Sequence, residues 1–151
     1  MERAQFRRIL VPTDFSHPAK QAVRAAEALA LVFDAGLELL HVTTSVTMLP
    51  PPVEMVPFTT LVPDIARQVQ ERLDEEAKRV RAAGVPCGTK SMDGSPATEI
   101  VRRAQEIEAD LIVMGTHGHG GLAHAVLGSV TERVLHKSQC PVLVVPVRQT
   151  T

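Results

Sequence analysis

Short apolar runs alternate with longer amphipathic stretches along the whole chain. Arg8-Ile9-Leu10-Val11-Pro12 is a β-branched run ended by Pro12-Thr13-Asp14, which predicts a buried strand meeting a loop. Ser16 is placed to cap a helix with Pro18 in its first turn. Ala22, Val23, Ala26, Leu29, Ala30 and Phe33 then recur at helical spacing, and Gly36 reads as the stop. A second strand is predicted at 37–42. A second amphipathic helix follows at 64–83, with Ile65, Val69, Leu73, Ala77, Val80 and Ala83 on one face and Gly84 at its end.

The later half repeats the scheme. The stretch 87–92 is a more polar strand, as expected at a sheet edge, and Ser95-Pro96 opens a third helix carrying Ala97, Ile100, Val101, Ala104 and Ile107. Leu111-Ile112-Val113-Met114, within a strand at 110–115, is apolar on successive positions, which fits a central strand covered on both faces. A last helix at 129–137 and a strand at 142–145 complete the order βαβαβαβαβ. Such alternation requires parallel strands with right-handed crossovers. The fold class is therefore α/β: a single domain over 1–151, built on one doubly wound, five-stranded parallel open sheet with helices on both faces. Ligands of such sheets bind beyond the carboxyl ends of the strands, and Pro12-Thr13-Asp14 and Gly115 are two such ends.

One segment breaks the pattern. The stretch 43–63 holds Pro50, Pro51, Pro52, Pro57 and Pro63 and has neither helical nor strand period, so it is read as a Pro-rich loop. It is either a plain connection or a lid or partner-binding loop carrying Met48, Met55 and Phe58.

Composition narrows the function. With 151 residues, 44% apolar and 22% charged, the chain suits one soluble domain with its own core. Lysine plus arginine total 16 against 17 acids, giving a net charge of −1, without the basic excess that nucleic acid binding needs. Four Phe with no Trp or Tyr also leave few platforms for stacking bases, so no nucleic acid partner is expected. The start, at 1–8, is charged with no apolar segment behind it, and no run approaches the roughly 20 apolar residues of a membrane span. No membrane association is expected, and the expected location is cytoplasmic. Cys87 and Cys140 form no Cys-x-x-Cys pair and are expected to be buried free thiols.

The main chemical signal lies at 115–129. After Met114 come Gly115, two residues, Gly118, nine residues, and then Gly128-Ser129 at the start of a helix. Glycine lacks a Cβ and reaches positive φ, so backbone amides can converge on a phosphate; Gly115, Gly118 and Gly128 fit that need. The first N–H groups of the helix at Ser129 carry the positive end of its dipole, and Ser129 and Thr131 are read as additional hydroxyl donors. A few hydrogen bonds to a charged group, at about 1.5 to 3 kcal/mol each, support micromolar binding before ordering costs. The Gly-Lys-Ser/Thr of a P-loop is absent. Gly118-His119-Gly120-Gly121-Leu122-Ala123 matches the dinucleotide fingerprint as a bare pattern. That fingerprint, however, should open a helix at once and be followed about 20 residues later by an acidic ribose ligand, whereas no Asp or Glu occurs from Ser138 onward.

Ile9-Leu10-Val11-Pro12-Thr13-Asp14, the Gly-x-x-Gly, nine residues, Gly-Ser pattern and Cys140-Pro141-Val142-Leu143-Val144-Val145-Pro146 together resemble the universal stress protein family over nearly the whole chain. The glycine pattern resembles that of its ATP-binding branch. The resemblance implies strand order 3-2-1-4-5 and a bound adenine nucleotide, ATP or else ADP or AMP, with magnesium as a possible companion. It implies that Pro12, Thr13, Asp14 and Val42 border the adenosine and that Met114 and Gly115 flank the ribose. His117, Gly118, Gly128, Ser129, Val130 and Thr131 would surround the phosphates. His117 departs from relatives that place a cationic residue here, because histidine is mostly neutral at pH 7.

His117, His119 and His124 cluster in one loop, but no cysteine or carboxylate there completes a four-ligand set, so no metal site is assigned. Asp14 either caps a local turn or sits beside nucleotide and magnesium. His41 and His136 are left out of the site. The leading reading is a stress-response or regulatory protein in which nucleotide occupancy alters loop order or partner affinity. Two others are a slow magnesium-dependent ATPase or phosphate-transferring enzyme, for which no general base is visible and no catalytic residue is assigned, and a nucleotide-free scaffold. The apolar strand bounded by Val142 and Val147 belongs at a sheet edge, where a homodimer is expected.

Overall fold

The computed structural model describes residues 5–44, 58–116 and 127–147. Its strands are β1 (Arg8–Pro12), β2 (Gly36–Thr43), β3 (Cys87–Asp93), β4 (Leu111–Gly115) and β5 (Val142–Val145). Its helices are α1 (His17–Phe33), α2 (Phe58–Ala82), α3 (Pro96–Glu106) and α4 (Ser129–Lys137). The five strands form one parallel sheet in the order β3-β2-β1-β4-β5, as expected.

Strand alternation sorts the apolar side chains into two cores. Ile9 and Val11 of β1, Leu37 and Leu39 of β2, and Leu111 and Val113 of β4 meet Ala22, Val23 and Ala26 of α1 and Leu73, Ala77 and Val80 of α2. Leu10, Leu40, Ile112 and Met114 point the other way, onto Ala97, Ile100 and Ala104 of α3 and Val134 of α4. β1 and β4 are central and buried on both faces, which explains their unbroken apolar runs.

Two long-range clamps hold the frame. The Asp110 carboxylate accepts from the backbone N–H of Arg7 at 2.8 Å and of Arg8 at 2.9 Å, fixing the entry of β1 beside β4. Arg103 of α3 grips Glu38 of β2 through Nε at 2.6 Å and Nη2 at 2.9 Å. These carboxylate contacts push the Arg103 pKa above its ordinary value.

Several strand and helix ends shift by a residue, and two ends differ for reasons of local chemistry. Gly36 does not stop α1: Asp34 does, adopting the left-handed conformation at φ 55, while the Ala35 N–H bonds the Ala30 carbonyl at 2.9 Å. A short polar side chain tolerates that conformation, so glycine was not required. The helix expected from 64 starts at Phe58, inside the Pro-rich stretch, whose first residue, Thr43, belongs to β2. Pro63 therefore lies within α2, although proline cannot donate the helical hydrogen bond. Local chemistry disfavours that placement, which is why it was not legible. Among the described residues, no helix is long and apolar enough to cross a membrane.

Candidate nucleotide site

The sheet reverses its winding between β1 and β4. Their pairing ends at Leu10 and Ile112, and beyond it, at the carboxyl ends, lies a cleft of about 260 Å³. Pro12, Thr13 and Asp14 form one side, and Met114 and Gly115 the other. Val42 of β2 and Val130 and Thr131 of α4 complete the part expected from sequence.

Gly128 and Ser129 begin α4 but do not line the cleft. His117 and Gly118 lie outside the described residues, as do His119 and His124. Ala19, Leu40, Thr44, Pro96 and Ile100, not expected from the sequence, also line it. Leu40 had a signal, since strand period places it on the same face as Val42. Pro96 and Ile100 open α3 just beyond the carboxyl end of β3 and had none.

Leu40, Val42, Ile100, Met114 and Val130 give the cleft an apolar wall suited to a flat heterocycle. Among the described lining residues, Asp14 is the only ionisable one.

The turn after β1 is closely tied. The Thr13 N–H donates to the Leu40 carbonyl at 2.8 Å, and its Oγ1 accepts from the Phe15 N–H at 3.0 Å. Asp14 Oδ1 accepts from the Ser16 N–H at 3.0 Å and from the Ser16 hydroxyl. Ser16 in turn caps α1, its Oγ accepting from the Ala19 N–H at 3.3 Å. Asp14 thus caps the local turn and also stands on the cleft wall.

His41, left out of the site, sits directly behind it. Its Nδ1 lies 2.8 Å from the Thr13 carbonyl oxygen; since a carbonyl only accepts, Nδ1 carries the proton. The ring stacks on Phe15 with centroids 5.0 Å apart, and the Arg72 guanidinium lies 5.2 Å from the Phe15 centroid. Phe15 has φ 64, unusual for a bulky side chain.

Gly115 and Gly128 work differently from expectation. Gly128 has φ −62 and ψ 153, extended backbone open to any residue, and its N–H donates to the Thr116 carbonyl at 2.7 Å. Gly115 is not in the left-handed region either. It is needed for space, because a Cβ there would lie 3.0 Å from the Pro18 carbonyl oxygen. Thr131 is a further correction: its hydroxyl donates to the Gly115 carbonyl at 2.9 Å, so that proton is not offered to a ligand.

The N-cap of α4 is Gly128, and among the described residues no side chain caps the helix. The first i to i−4 bond of the helix runs from the Glu132 N–H to the Gly128 carbonyl at 3.0 Å. The N–H groups of Ser129, Val130 and Thr131 precede it and carry the positive end of the helix dipole.

Both cysteines are free thiols, but only Cys87 is buried. Cys140 is partly exposed, with Sγ 3.6 Å from the Ser138 hydroxyl. Burial pushes the Cys87 pKa up to about 11.

Comparison with known proteins agrees with this architecture. The chain is 38% identical over 149 residues to the universal stress protein MJ0531 of Methanocaldococcus jannaschii, covering 93% of this chain and 82% of that one. The solved structure of MJ0577, from the same organism, superposes with a TM-score of 0.82 at 30% identity, covering 97% of this chain and 99% of that one. A universal stress protein solved in complex with cAMP superposes with a TM-score of 0.70 at 27% identity, covering 94% of this chain and 98% of that one. The model of the universal stress protein family matches residues 5–146, and the chain belongs to that family.

Proposed function

We propose that this chain binds an adenine nucleotide, ATP or its ADP and AMP counterparts, in the cleft between β1 and β4, and that it acts as a stress-response regulator. The observation that carries this reading is the pairing of an apolar wall with the N-terminus of α4, whose N-cap is a glycine and which no side chain caps among the described residues. A purine suits the wall formed by Leu40, Val42, Ile100 and Met114. An anion suits the first-turn N–H groups of α4. The relative solved with cAMP, an adenine nucleotide, supports the ligand class.

Pro12, Thr13, Asp14 and Val42 are proposed to border the adenosine, with Met114 and Gly115 flanking the ribose. The proposed phosphate side comprises His117, Gly118, Gly128, Ser129, Val130 and Thr131, with Thr131 acting through its backbone. Magnesium carried by the phosphates would meet Asp14, the one ionisable side chain among the described lining residues. The chain is further proposed to pair with a second copy along the β5 edge, where Leu143 is 39% exposed.

The test denatures purified protein, identifies any released nucleotide, and titrates ATP, ADP and AMP into stripped protein with and without magnesium. Micromolar binding of at least one is expected, and absence of binding to all three overturns the reading. Gly128→Val is the companion variant: the backbone angles there accept valine, so the fold should persist while phosphate affinity falls.

A further inference from the structure

The cleft and the Phe15 stack lie on opposite sides of the sheet. Leu40 and Val42 face the α3 and α4 side, with the cleft, whereas Phe15 packs into the core shared with α1 and α2. His41, between Leu40 and Val42, alternates onto the Phe15 side. The peptide of Thr13 joins the two sides. Its N–H is held by Leu40, its carbonyl by His41, and its hydroxyl accepts from Phe15.

Phe15 is the strained member of this group. A bulky residue at φ 64 is disfavoured and persists only where its surroundings over-determine it. Here the surroundings are an imidazole stacked on the ring and a guanidinium over it, the latter from α2. Arg72 is exposed, so α2 reaches the ring with a side chain that its own packing does not require.

We propose that Phe15, held by His41 and Arg72, is a positioning device that sets Thr13 and Asp14 at the cleft from the far side of the sheet and couples α2 to occupancy of the site. This rests on the nucleotide reading above. His41 and Arg72 are positioning residues, acting through Phe15 and the Thr13 carbonyl without lining the cleft. Coupling of this kind is reciprocal: whatever steadies α2 tightens the cleft, and a ligand in the cleft steadies α2. The regulatory output of nucleotide binding therefore emerges on α2.

The experiment compares the full chain with its Arg72→Ala, Arg72→Lys, Phe15→Leu and Phe15→Tyr variants, using ATP titration and amide hydrogen exchange. Phe15→Leu keeps the apolar contact but cannot stack, and Phe15→Tyr keeps the ring. Arg72→Ala alters an exposed side chain, so it remains informative if Phe15→Leu fails to fold. Arg72→Ala and Phe15→Leu are expected to weaken ATP binding about threefold to tenfold, the range that a lost cation–π or stacking contact converts to. Arg72→Lys and Phe15→Tyr should restore it. In the parent, ATP should slow amide exchange in α2, and Arg72→Ala should abolish that protection. Without ligand, the Phe15 amide should exchange faster in Arg72→Ala and Phe15→Leu than in the parent.

Parent-like affinity in folded Arg72→Ala and Phe15→Leu overturns the device and leaves the nucleotide reading intact. Failure of the parent to bind ATP, ADP or AMP overturns the nucleotide reading instead. The ligand-free exchange of Phe15 then decides the device: unchanged exchange overturns it, and faster exchange supports it for whichever ligand the cleft takes.

Discussion

The hydroxyl of Thr131 donates to the carbonyl of Gly115 at 2.9 Å, stitching the first turn of α4 to the end of β4. Thr131 is 3% exposed, so its hydroxyl has little access to water and depends on this bond. Thr131→Val keeps the shape and removes the donor, and should cost about 1 to 3 kcal/mol in urea unfolding. Thr131→Ser should recover most of that loss. Equal stability of the valine variant and the parent would show the bond contributes nothing.

Gly115→Ala should destabilise by about 1 to 3 kcal/mol, because the new Cβ would press on the backbone of Pro18 at 3.0 Å and force β4 and α1 apart. The control is Gly36→Ala, whose nearest neighbour would be a comfortable 3.7 Å away. Thermal melts of the two variants should separate clearly, with only Gly115→Ala lowered by several degrees.

The two thiols should react in order. At pH 8, iodoacetamide followed by mass spectrometry should label partly exposed Cys140 first, while Cys87 should react only on unfolding. Burial raises the Cys87 pKa from 9.0 to about 11. The raised value means that the folded state favours the neutral thiol. Its contribution to stability is full below pH 9.0 and is lost as pH rises through about 11. Replacing Cys87 with alanine should accordingly flatten the alkaline decline. A parent and variant with the same decline between those values would remove Cys87 as its source.

The bidentate contact between Arg103 and Glu38 should register in a double-mutant cycle. Both side chains are about one-fifth exposed, at 20% and 18%, so solvent screening trims the pair. A coupling of about 1 to 2 kcal/mol is expected between Glu38→Ala and Arg103→Ala in urea unfolding. A coupling near zero would mean that the contact with Glu106 at 3.1 Å substitutes for it.

Much of the frame was legible in the order of apolar residues, because strand and helix periods are properties of neighbours in the chain. Ile9 and Val11 against Leu10, or Leu111 and Val113 against Ile112, declare two buried faces without help from tertiary structure. The carboxyl-end position of Thr13 and Gly115 followed from the same alternation. What was not legible depends on pairs far apart in sequence. Thr131 looks like a ligand donor until Gly115 is seen beneath it. His41 looks like a packed histidine until the Thr13 carbonyl is seen in front of it. Gly115 was expected for its chemistry and matters for its size, a fact that only the backbone of Pro18 could reveal.

The central place of β1 carries a consequence for how the chain is made. β1 pairs with β2 on one side and β4 on the other. During synthesis, β2 emerges soon after β1, whereas Leu111, the partner of Ile9, follows about a hundred residues later. For that interval the most apolar strand of the nascent half-sheet presents an open flank, the kind of edge that recruits other chains. Closing the flank is a non-local step, slow compared with building α1 or α2. The cleft lies at this late-closing seam, so its formation and protection of the β1 flank arrive together.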